Sequence, residues 1–324
     1  MAGQPPNDPL PGTAVLGAGT MGAQIALSLA LGGVHVRLWA RRAESLADSA
    51  MRMDGAIDVL AENGLADPSD KSEILARIEH TTDLDHAVYG RDFVIEAISE
   101  DVSLKQELLR RSERSSRNGA VFSSTTSAIS PTALQSALEC PSSFCIAHYA
   151  QPAHLVQLVE VVPGSETSDA ATDFTIGLLE STGKSPVLCP DIPGFLWARI
   201  QHAVLREFAS LVGQGLVTPE ACDKVLKEGY ATRLPAMGAF EHADLAGLDL
   251  LNGSAAKAVW ADLSNAGDPA ETPVGTLFAE GHTGMRSGRG FYDWRQRNSD
   301  AFVAQRDQEI IRRIKLQRGG RVVL

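Results

Sequence analysis

The sequence lacks the features that would place the protein in a membrane or on nucleic acid. No apolar run in the 324 residues approaches the roughly 20 residues that a membrane-spanning helix needs. Lys and Arg total 29 against 40 Asp and Glu, and the net charge of −11 disfavours binding to a phosphate backbone. We therefore expect a small-molecule substrate as the partner, and neither a membrane nor a nucleic acid.

Cysteine is also scarce, and its spacing indicates neither a disulfide framework nor a metal site. The four cysteines contain no CxxC pair, so we expect no metal and reduced thiols in a cytoplasmic protein. The first 12 residues are rich in Pro and Gly and lack the basic and apolar regions of a signal peptide. We interpret residues 1–12 as a flexible tail.

The most informative stretch is residues 13–31, where an apolar run leads through Gly17-x-Gly19-x-x-Gly22 into a segment of helical composition. Gly17 permits a tight turn, Gly19 lets a pyrophosphate approach the backbone, and Gly22 lets the helix pack closely on the sheet. The alternative is a purely structural loop, but a strand, a helix and a second strand in register favour a dinucleotide site. The residues that we assign to this cofactor loop are Gly17, Gly19, Thr20, Met21 and Gly22.

The second predicted strand, 34–39, bears on the choice of cofactor. An acidic residue usually closes this strand in NAD-binding units and holds the ribose 2′-hydroxyl. Here Ala40 takes that position and is followed by Arg41 and Arg42, two guanidinium groups that could bind a 2′-phosphate. This pattern favours NADP(H) without excluding NAD(H). The alternative is that both arginines only solvate the start of a helix.

Alternating strands and helices in the first part of the chain predict an α/β protein. We expect a Rossmann-type doubly wound sheet at 13–190, followed by an all-α domain at 191–324 with a role in substrate binding and dimerisation. The predicted strands are 13–16, 34–39, 78–81, 92–97, 121–124, 144–147, 155–162 and 185–188.

A histidine and a carboxylate stand out near the end of this sheet. His148 follows the predicted strand 144–147, and Glu160 lies inside the apolar strand 155–162. An unpaired buried carboxylate costs several kcal/mol, so Glu160 needs a partner, and an imidazole is the nearest candidate. Such a pair suits a general base near neutral pH. His154 is the rival imidazole, and we expect it to face solvent.

A hydroxyl-rich turn, Ser-Thr-Thr-Ser at 124–127, lies at the carboxyl end of another predicted strand. Ligands of open α/β sheets bind at this edge, which places Ser127 among the candidate catalytic residues. A turn or capping role is the alternative for any one of these hydroxyls.

Together these stretches resemble the 3-hydroxyacyl-CoA dehydrogenase family, including its L-gulonate dehydrogenase/lambda-crystallin and carnitine dehydrogenase branches. The resemblance runs from the glycine loop to near residue 294. The motifs that carry it are the glycine loop, V-I-E-A-I-S-E at 94–100, the hydroxyl turn, His148 and Glu160 with Pro152 between them, P-G-F at 193–195 and S-G-R-G-F-Y at 287–292.

The resemblance implies a mechanism. His148 would take the proton of a substrate 3-hydroxyl while a hydride leaves the same carbon for the nicotinamide. Glu160 would hold and charge-balance His148, and Ser127 would hydrogen-bond the substrate oxygen. Glu100 and Lys105 match family positions that lie along the cofactor. Family members usually dimerise through the helical domain with the active site between the domains, which implies a homodimer.

Three departures from the family pattern indicate altered substrate recognition. Gln151, which we count among the cofactor-binding residues, and Ala198 stand where the family has Asn, and Thr125 replaces a further Asn. We therefore expect hydride transfer at C3 of a 3-hydroxyacyl-CoA-like substrate, with two alternatives. One is a dehydrogenase of a free 3-hydroxy acid, such as a sugar acid or a carnitine-like molecule, and the other is a cofactor-binding relative without turnover.

Overall fold

The computed structural model describes residues 10–117 and 119–319, and it confirms a doubly wound α/β sheet followed by a helical region. The sheet has eight strands in the order β3-β2-β1-β4-β5-β6-β7-β8, and its neighbours are parallel except for β6 and β7. The strands are β1 (Thr13–Leu16), β2 (Val36–Trp39), β3 (Ile78–Thr81), β4 (Phe93–Glu96), β5 (Val121–Ser124), β6 (Phe144–Tyr149), β7 (Leu158–Pro163) and β8 (Ser185–Leu188).

Helices cover both faces of this sheet. They are α1 (Thr20–Leu31), α2 (Ala43–Glu62), α3 (Lys71–Ala76), α4 (Leu84–Val88), α5 (Val102–Ser115), α6 (Pro131–Gln135) and α7 (Asp169–Ser181). Because successive strand residues point to opposite faces, Val15 and Ile95 join one core with α1, α2 and α7, while Leu16 and Val94 join the other with α4, α5 and α6.

All eight predicted strands are present, but the seventh begins later than the apolar pattern indicated. The amides of Leu155 and Val156 donate to the carbonyl of Pro152 and form a turn. These donors are therefore not available to a sheet ladder, and the strand starts at Leu158.

The later part of the described chain is helical. Its helices are α8 (Trp197–Gly213), α9 (Pro219–Lys224), α10 (Ala231–Arg233), α11 (Ala239–Ala246), α12 (Leu248–Leu251), α13 (Ser254–Asp262), α14 (Pro273–Ala279) and α15 (Ser299–Gly319), and a π-helical turn joins α9 to α10. No helix of the described ranges combines the length and the apolar character needed to cross a bilayer.

The chain divides into two compact units, and their limits differ from the predicted domain boundary. Of the described residues, those from 10 to 199 and from 307 to 319 form the first unit, and residues 200–306 form the second. The prediction assigned all of 191–324 to the helical domain. The end of α15 lies with the first unit because Ile311 and Ile314 are buried against Leu60 and Leu155.

The predicted flexible tail falls largely on residues 1–9, which lie outside the described residues. The described residue Gly12 is tied to the fold, since its backbone N–H donates to Asp92 Oδ2 at 2.8 Å.

Candidate active site

The glycine loop has the shape that a dinucleotide needs. Gly17 has φ +122°, and a Cβ there would lie 2.6 Å from the carbonyl oxygen of Ala97. A Cβ on Gly22 would lie 1.7 Å from the carbonyl oxygen of Gly17, whereas one on Gly19 would meet nothing within 4 Å. Two glycines therefore serve close packing, and Gly19 leaves open space beside the backbone. This space fits an approaching pyrophosphate.

The start of α1 adds backbone donors to the same place. The helix begins at Thr20, and its N-cap residue, Gly19, has no side chain that could bond to the first N–H groups. Thr20 is exposed and Met21 is half-buried. The first N–H groups of a helix, together with its dipole, favour a phosphate. The residues of the loop thus fit the diphosphate of a nicotinamide dinucleotide.

The end of β2 lies next to this loop, because the N–H of Gly17 donates to the carbonyl of Trp39 at 2.8 Å. Ala40 is buried there, and Arg41 and Arg42 are exposed. Sequence reasoning missed a further cation, Arg52 of α2, whose guanidinium donates to the carbonyl of Ala18 in the loop at 3.0 Å. Only the packing of α2 on α1 brings it there, and no local pattern reports that contact.

His148 and Glu160 form a buried pair. They lie directly opposite each other on the antiparallel strands β6 and β7. Nδ1 of His148 lies 2.7 Å from Oε2 of Glu160, and Nε2 lies 3.0 Å from Oγ of Ser127. The structure therefore brings the three predicted catalytic side chains into one hydrogen-bonded row.

The second oxygen of Glu160 is held by backbone. Oε1 accepts from the N–H groups of Leu196 and Trp197, both at 2.8 Å, and the thiol of Cys189 lies 3.5 Å away. Burial alone would raise the pKa of the Glu160 carboxyl, but the bonds from His148, Trp197 and Leu196 outweigh it and hold the pKa below its usual value. The carboxylate is thus ionised at neutral pH.

The hydroxyl turn rests on a second carboxylate, Glu100. Its Oε1 accepts from the backbone N–H of Ser127 at 3.3 Å and from the hydroxyl of Thr126. Oε2 of Glu100 lies 3.4 Å from Nζ of Lys105. Glu100, which sequence reasoning assigned to the cofactor, therefore also supports the backbone that carries Ser127.

Lys105 lies in a buried ion pair. Its side chain is 1% exposed, and Nζ lies 2.8 and 3.0 Å from the two carboxylate oxygens of Glu96, which is fully buried. Glu96 also accepts from the hydroxyl of Ser124. Sequence reasoning missed Glu96, although the signal was available, since it is a carboxylate in an apolar strand just as Glu160 is. This packing directs the ammonium of Lys105 towards Glu96 instead of an open surface.

The loop between β6 and β7 holds the remaining predicted residues. Gln151 is exposed at its start. His154 was expected to face solvent, but it is half-buried and lines a cavity of about 390 Å³ in the first unit. Lys184 lines the same cavity and donates to the carbonyls of Ala153 and Val156, and burial lowers its pKa to about 8.

The reactive groups and the glycine loop share one edge of the sheet. The loop follows β1, Ser127 follows β5, and His148 lies near the end of β6, all on strands that run in parallel. Carboxyl ends of parallel strands meet at one edge, where open α/β sheets bind ligands. An imidazole held by an ionised carboxylate at that edge can accept a proton from a bound hydroxyl and return it.

Comparison with known proteins gives two family-model matches. The model described as the NAD binding domain of 3-hydroxyacyl-CoA dehydrogenase matches residues 12–192, and the model of its C-terminal domain matches residues 194–294. The two matches account for the chain from the glycine loop to shortly before α15.

Similar curated proteins have three kinds of names. The chain is 31% identical to 5-formyl-3-hydroxy-2-methylpyridine 4-carboxylate 5-dehydrogenase of Mesorhizobium japonicum, over 92% of this chain and 95% of that protein. It is 33% identical to a probable 3-hydroxybutyryl-CoA dehydrogenase of Deinococcus radiodurans, over 86% and 99%. It is 32% identical to the fatty acid oxidation complex subunit alpha of Pseudomonas paraeruginosa, of which it spans 38%.

Solved structures show the same likenesses. The structure described as an NAD+ dependent dismutase, the 5-dehydrogenase of the pyridine carboxylic acid named above, has a TM-score of 0.88 at 29% identity and covers 96% of this chain and 99% of its own. The (S)-3-hydroxybutyryl-CoA dehydrogenase of Ralstonia eutropha has a TM-score of 0.70 at 27% identity, over 87% and 98%.

Proposed function

Since the chain belongs to the 3-hydroxyacyl-CoA dehydrogenase family, whose members are NAD-dependent oxidoreductases acting on CH–OH groups, we propose that it transfers a hydride between a nicotinamide cofactor and C3 of a 3-hydroxyacyl-CoA-like substrate. The observation that supports this proposal is the row Glu160–His148–Ser127 at the sheet edge that carries the glycine loop.

The ionised carboxylate decides which nitrogen of His148 carries the proton. An ionised Glu160 can only accept, so the neutral form of the His148 ring carries its proton on Nδ1 and turns the lone pair of Nε2 to Ser127. When bound, the nicotinamide supplies the acceptor for the hydride. Nε2 takes the proton of the substrate hydroxyl, Ser127 Oγ holds the same oxygen, and Glu160 balances the charge that forms on the ring. In reduction the same proton returns to the substrate oxygen.

Replacing the imidazole tests this role. We expect His148→Gln to lower kcat by about 100-fold or more, the size of general-base catalysis, with binding of NADH unchanged. The matched control is His154→Gln, six residues further on in the loop and outside the hydrogen-bonded row. The assay follows NADH or NADPH with acetoacetyl-CoA and a panel of 3-oxo acids. Near-normal turnover by His148→Gln would contradict the mechanism, and no turnover by the wild type would favour a cofactor-binding relative.

A free carboxylic acid is the second candidate substrate. It is favoured by the likeness to the pyridine carboxylate dehydrogenase, which extends over 95% or more of that protein and 96% of this chain in structure. The isolated Lys71 is paired with Asp54 and Asp58, which compete with a CoA phosphate for its ammonium group. Turnover of free acids or aldehydes together with inactivity towards acyl-CoA substrates would decide for this candidate.

We also propose that the site prefers NADP(H) to NAD(H). Ala40 removes a carboxylate that would repel a 2′-phosphate, and Arg41 and Arg42 are exposed beside it. We expect kcat/KM to be higher with NADPH, and Ala40→Asp to reverse the preference. A clear preference of the wild-type protein for NADH would reject the proposal and leave the two arginines with a solvating role.

A homodimer through the second unit is a further part of the proposal. That unit exposes large apolar side chains, among them Phe240 at 88% and Trp260 at 78%, and exposed apolar surface is typical of protein–protein interaction sites. We expect twice the mass of one chain in light scattering, and we expect Phe240→Glu to yield monomers. The matched control is Tyr89→Glu, an exposed aromatic residue of the first unit. A monomeric wild-type protein would contradict the proposal.

We propose a cytoplasmic location on the evidence of the thiols. Cys140, Cys145, Cys189 and Cys222 all lie in the described ranges and are free, the state that a reducing compartment maintains. Fractionation of cells that express a tagged chain tests this, and recovery outside the cytoplasm would contradict it.

A further inference from the structure

Two successive residues before α8 adopt left-handed backbone conformations. Gly194 has φ +76° and Phe195 has φ +46°. Phe195 is the one non-glycine residue with positive φ in the part of the chain that the structure describes. A bulky residue in this region costs about 1–3 kcal/mol and persists only where the surrounding structure determines it. The turn thus carries a strain that its contacts must offset.

The contacts of this turn reach both members of the buried pair. The ring of Phe195 is fully buried and meets the ring of His148 edge-on, with centroids 5.7 Å apart. The turn then aims the N–H groups of Leu196 and Trp197 at Oε1 of Glu160, each at 2.8 Å. Because α8 begins at Trp197, the carboxylate lies at a helix N-terminus, where an anion is stabilised.

We propose that the Gly194–Phe195 turn is a positioning element for the general base. It fixes the His148 ring through Phe195 and fixes Glu160 through two backbone amides, while none of its own atoms takes part in the proton or hydride transfer. This inference rests on the proposed function. Its physical reason is that small displacements of a catalytic group cost large factors in rate, and the turn contacts both groups.

A pair of variants at residue 194 separates positioning from mere packing. Asn tolerates left-handed φ, whereas the β-branched Val does not, and the two have similar size. A Cβ at Gly194 would meet Ala198 Cβ at 3.4 Å and Arg199 Cγ at 3.5 Å, which is ordinary contact. We expect Gly194→Val to lower kcat by about 30-fold or more and Gly194→Asn by less than about 3-fold, given the sensitivity of catalysis to alignment. KM and the Kd for NADH should stay within about 2-fold in both variants, since the ring contact and the two backbone hydrogen bonds of the turn run to His148 and Glu160.

A second variant tests the ring. Phe195→Leu keeps most of the apolar volume but removes the flat edge against His148, and we expect kcat to fall by about 5-fold or more with the Kd for NADH unchanged. If Gly194→Val does not fold, as judged by circular dichroism and NADH binding, Phe195→Leu decides. Equal losses in Gly194→Val and Gly194→Asn, or a kcat near that of the wild type in Phe195→Leu, would overturn the proposal.

Different results would contradict the proposed function and the positioning role of the turn. A His148→Gln variant with normal turnover removes the proposed function itself. An inactive His148→Gln variant beside a fully active Gly194→Val variant keeps the function and removes only the positioning role.

Discussion

Two lysines show how strongly burial changes the contribution of an ion pair to stability. Glu96 and Lys105 are almost completely buried, and each is the main partner of the other. Lys71 makes ion pairs of similar length with Asp54 and Asp58, but all three are partly exposed. Water screens the exposed pairs, whereas a buried charge left without its partner retains its full desolvation cost.

We expect Lys105→Met to lower the free energy of unfolding by about 3–5 kcal/mol, because it leaves Glu96 buried without its cation. Lys71→Met, the matched control, should change stability little. The double variant Glu96→Gln with Lys105→Met should recover part of the loss. Urea unfolding followed by fluorescence measures all three, and equal effects of the two single variants would contradict the argument.

The buried Lys184 should make the free energy of unfolding depend on pH. Burial lowers its pKa from 10.5 to about 8, so between these values the unfolded chain binds more protons than the folded chain. The free energy of unfolding contributed by this residue therefore rises as pH increases through this window. Cys145 acts in the opposite direction, since burial raises its pKa to about 11. The difference between wild type and Lys184→Met isolates the lysine, and it should grow in favour of the wild type from pH 8 upward.

Among the secondary-structure elements, α15 shows that a helix can belong to a unit from which it is distant in sequence. Its polar composition gives little sign of a buried face, yet Ile311 and Ile314 contact Leu60 and Leu155. This face anchors the end of the described chain on α2 and on the loop between β6 and β7. The family models end before this helix begins.

We expect Ile311→Ala to lower the free energy of unfolding by about 2–4 kcal/mol, the usual result of removing a buried isoleucine. Leu316→Ala on the same helix is the matched control, because Leu316 is 69% exposed, and its effect should be below about 0.5 kcal/mol. Thermal and urea unfolding compare the two. Similar losses would show that the helix does not pack as described.

At the scale of the whole molecule, cofactor binding and folding are linked. A ligand that binds only the folded state raises stability by about 2.7 kcal/mol at a hundredfold excess over its Kd. We expect NADH or NADPH to raise the Tm of the wild-type protein and to leave Gly19→Val unchanged. Gly19→Val should fold as well as the wild type without cofactor, because a Cβ there meets nothing within 4 Å.

Gly22→Ala is the contrasting variant. Its Cβ would lie 1.7 Å from the carbonyl oxygen of Gly17, so it should lower the Tm even without cofactor. A cofactor-induced shift in Gly19→Val as large as that of the wild type would show that the dinucleotide does not approach the loop at that glycine.

The sequence by itself determined the features that depend on neighbours along the chain. The glycine spacing indicates the loop because a side chain at Gly17 or Gly22 would meet backbone, and apolar runs indicate the central strands β1, β4 and β6 because these strands are buried on both faces. Glu160 could be paired with an imidazole because an apolar strand leaves a carboxylate few alternatives.

Only the tertiary structure decided the contacts between distant segments. In the fold, Lys105 pairs with Glu96 and Arg52 contacts the glycine loop. Two backbone amides at the start of α8 donate to Glu160, and the end of α15 packs on the first unit. These contacts depend on strand order, helix packing and side-chain direction, none of which is encoded in local spacing. A local pattern can require that a buried charge has a partner, but only the fold selects which partner lies within reach.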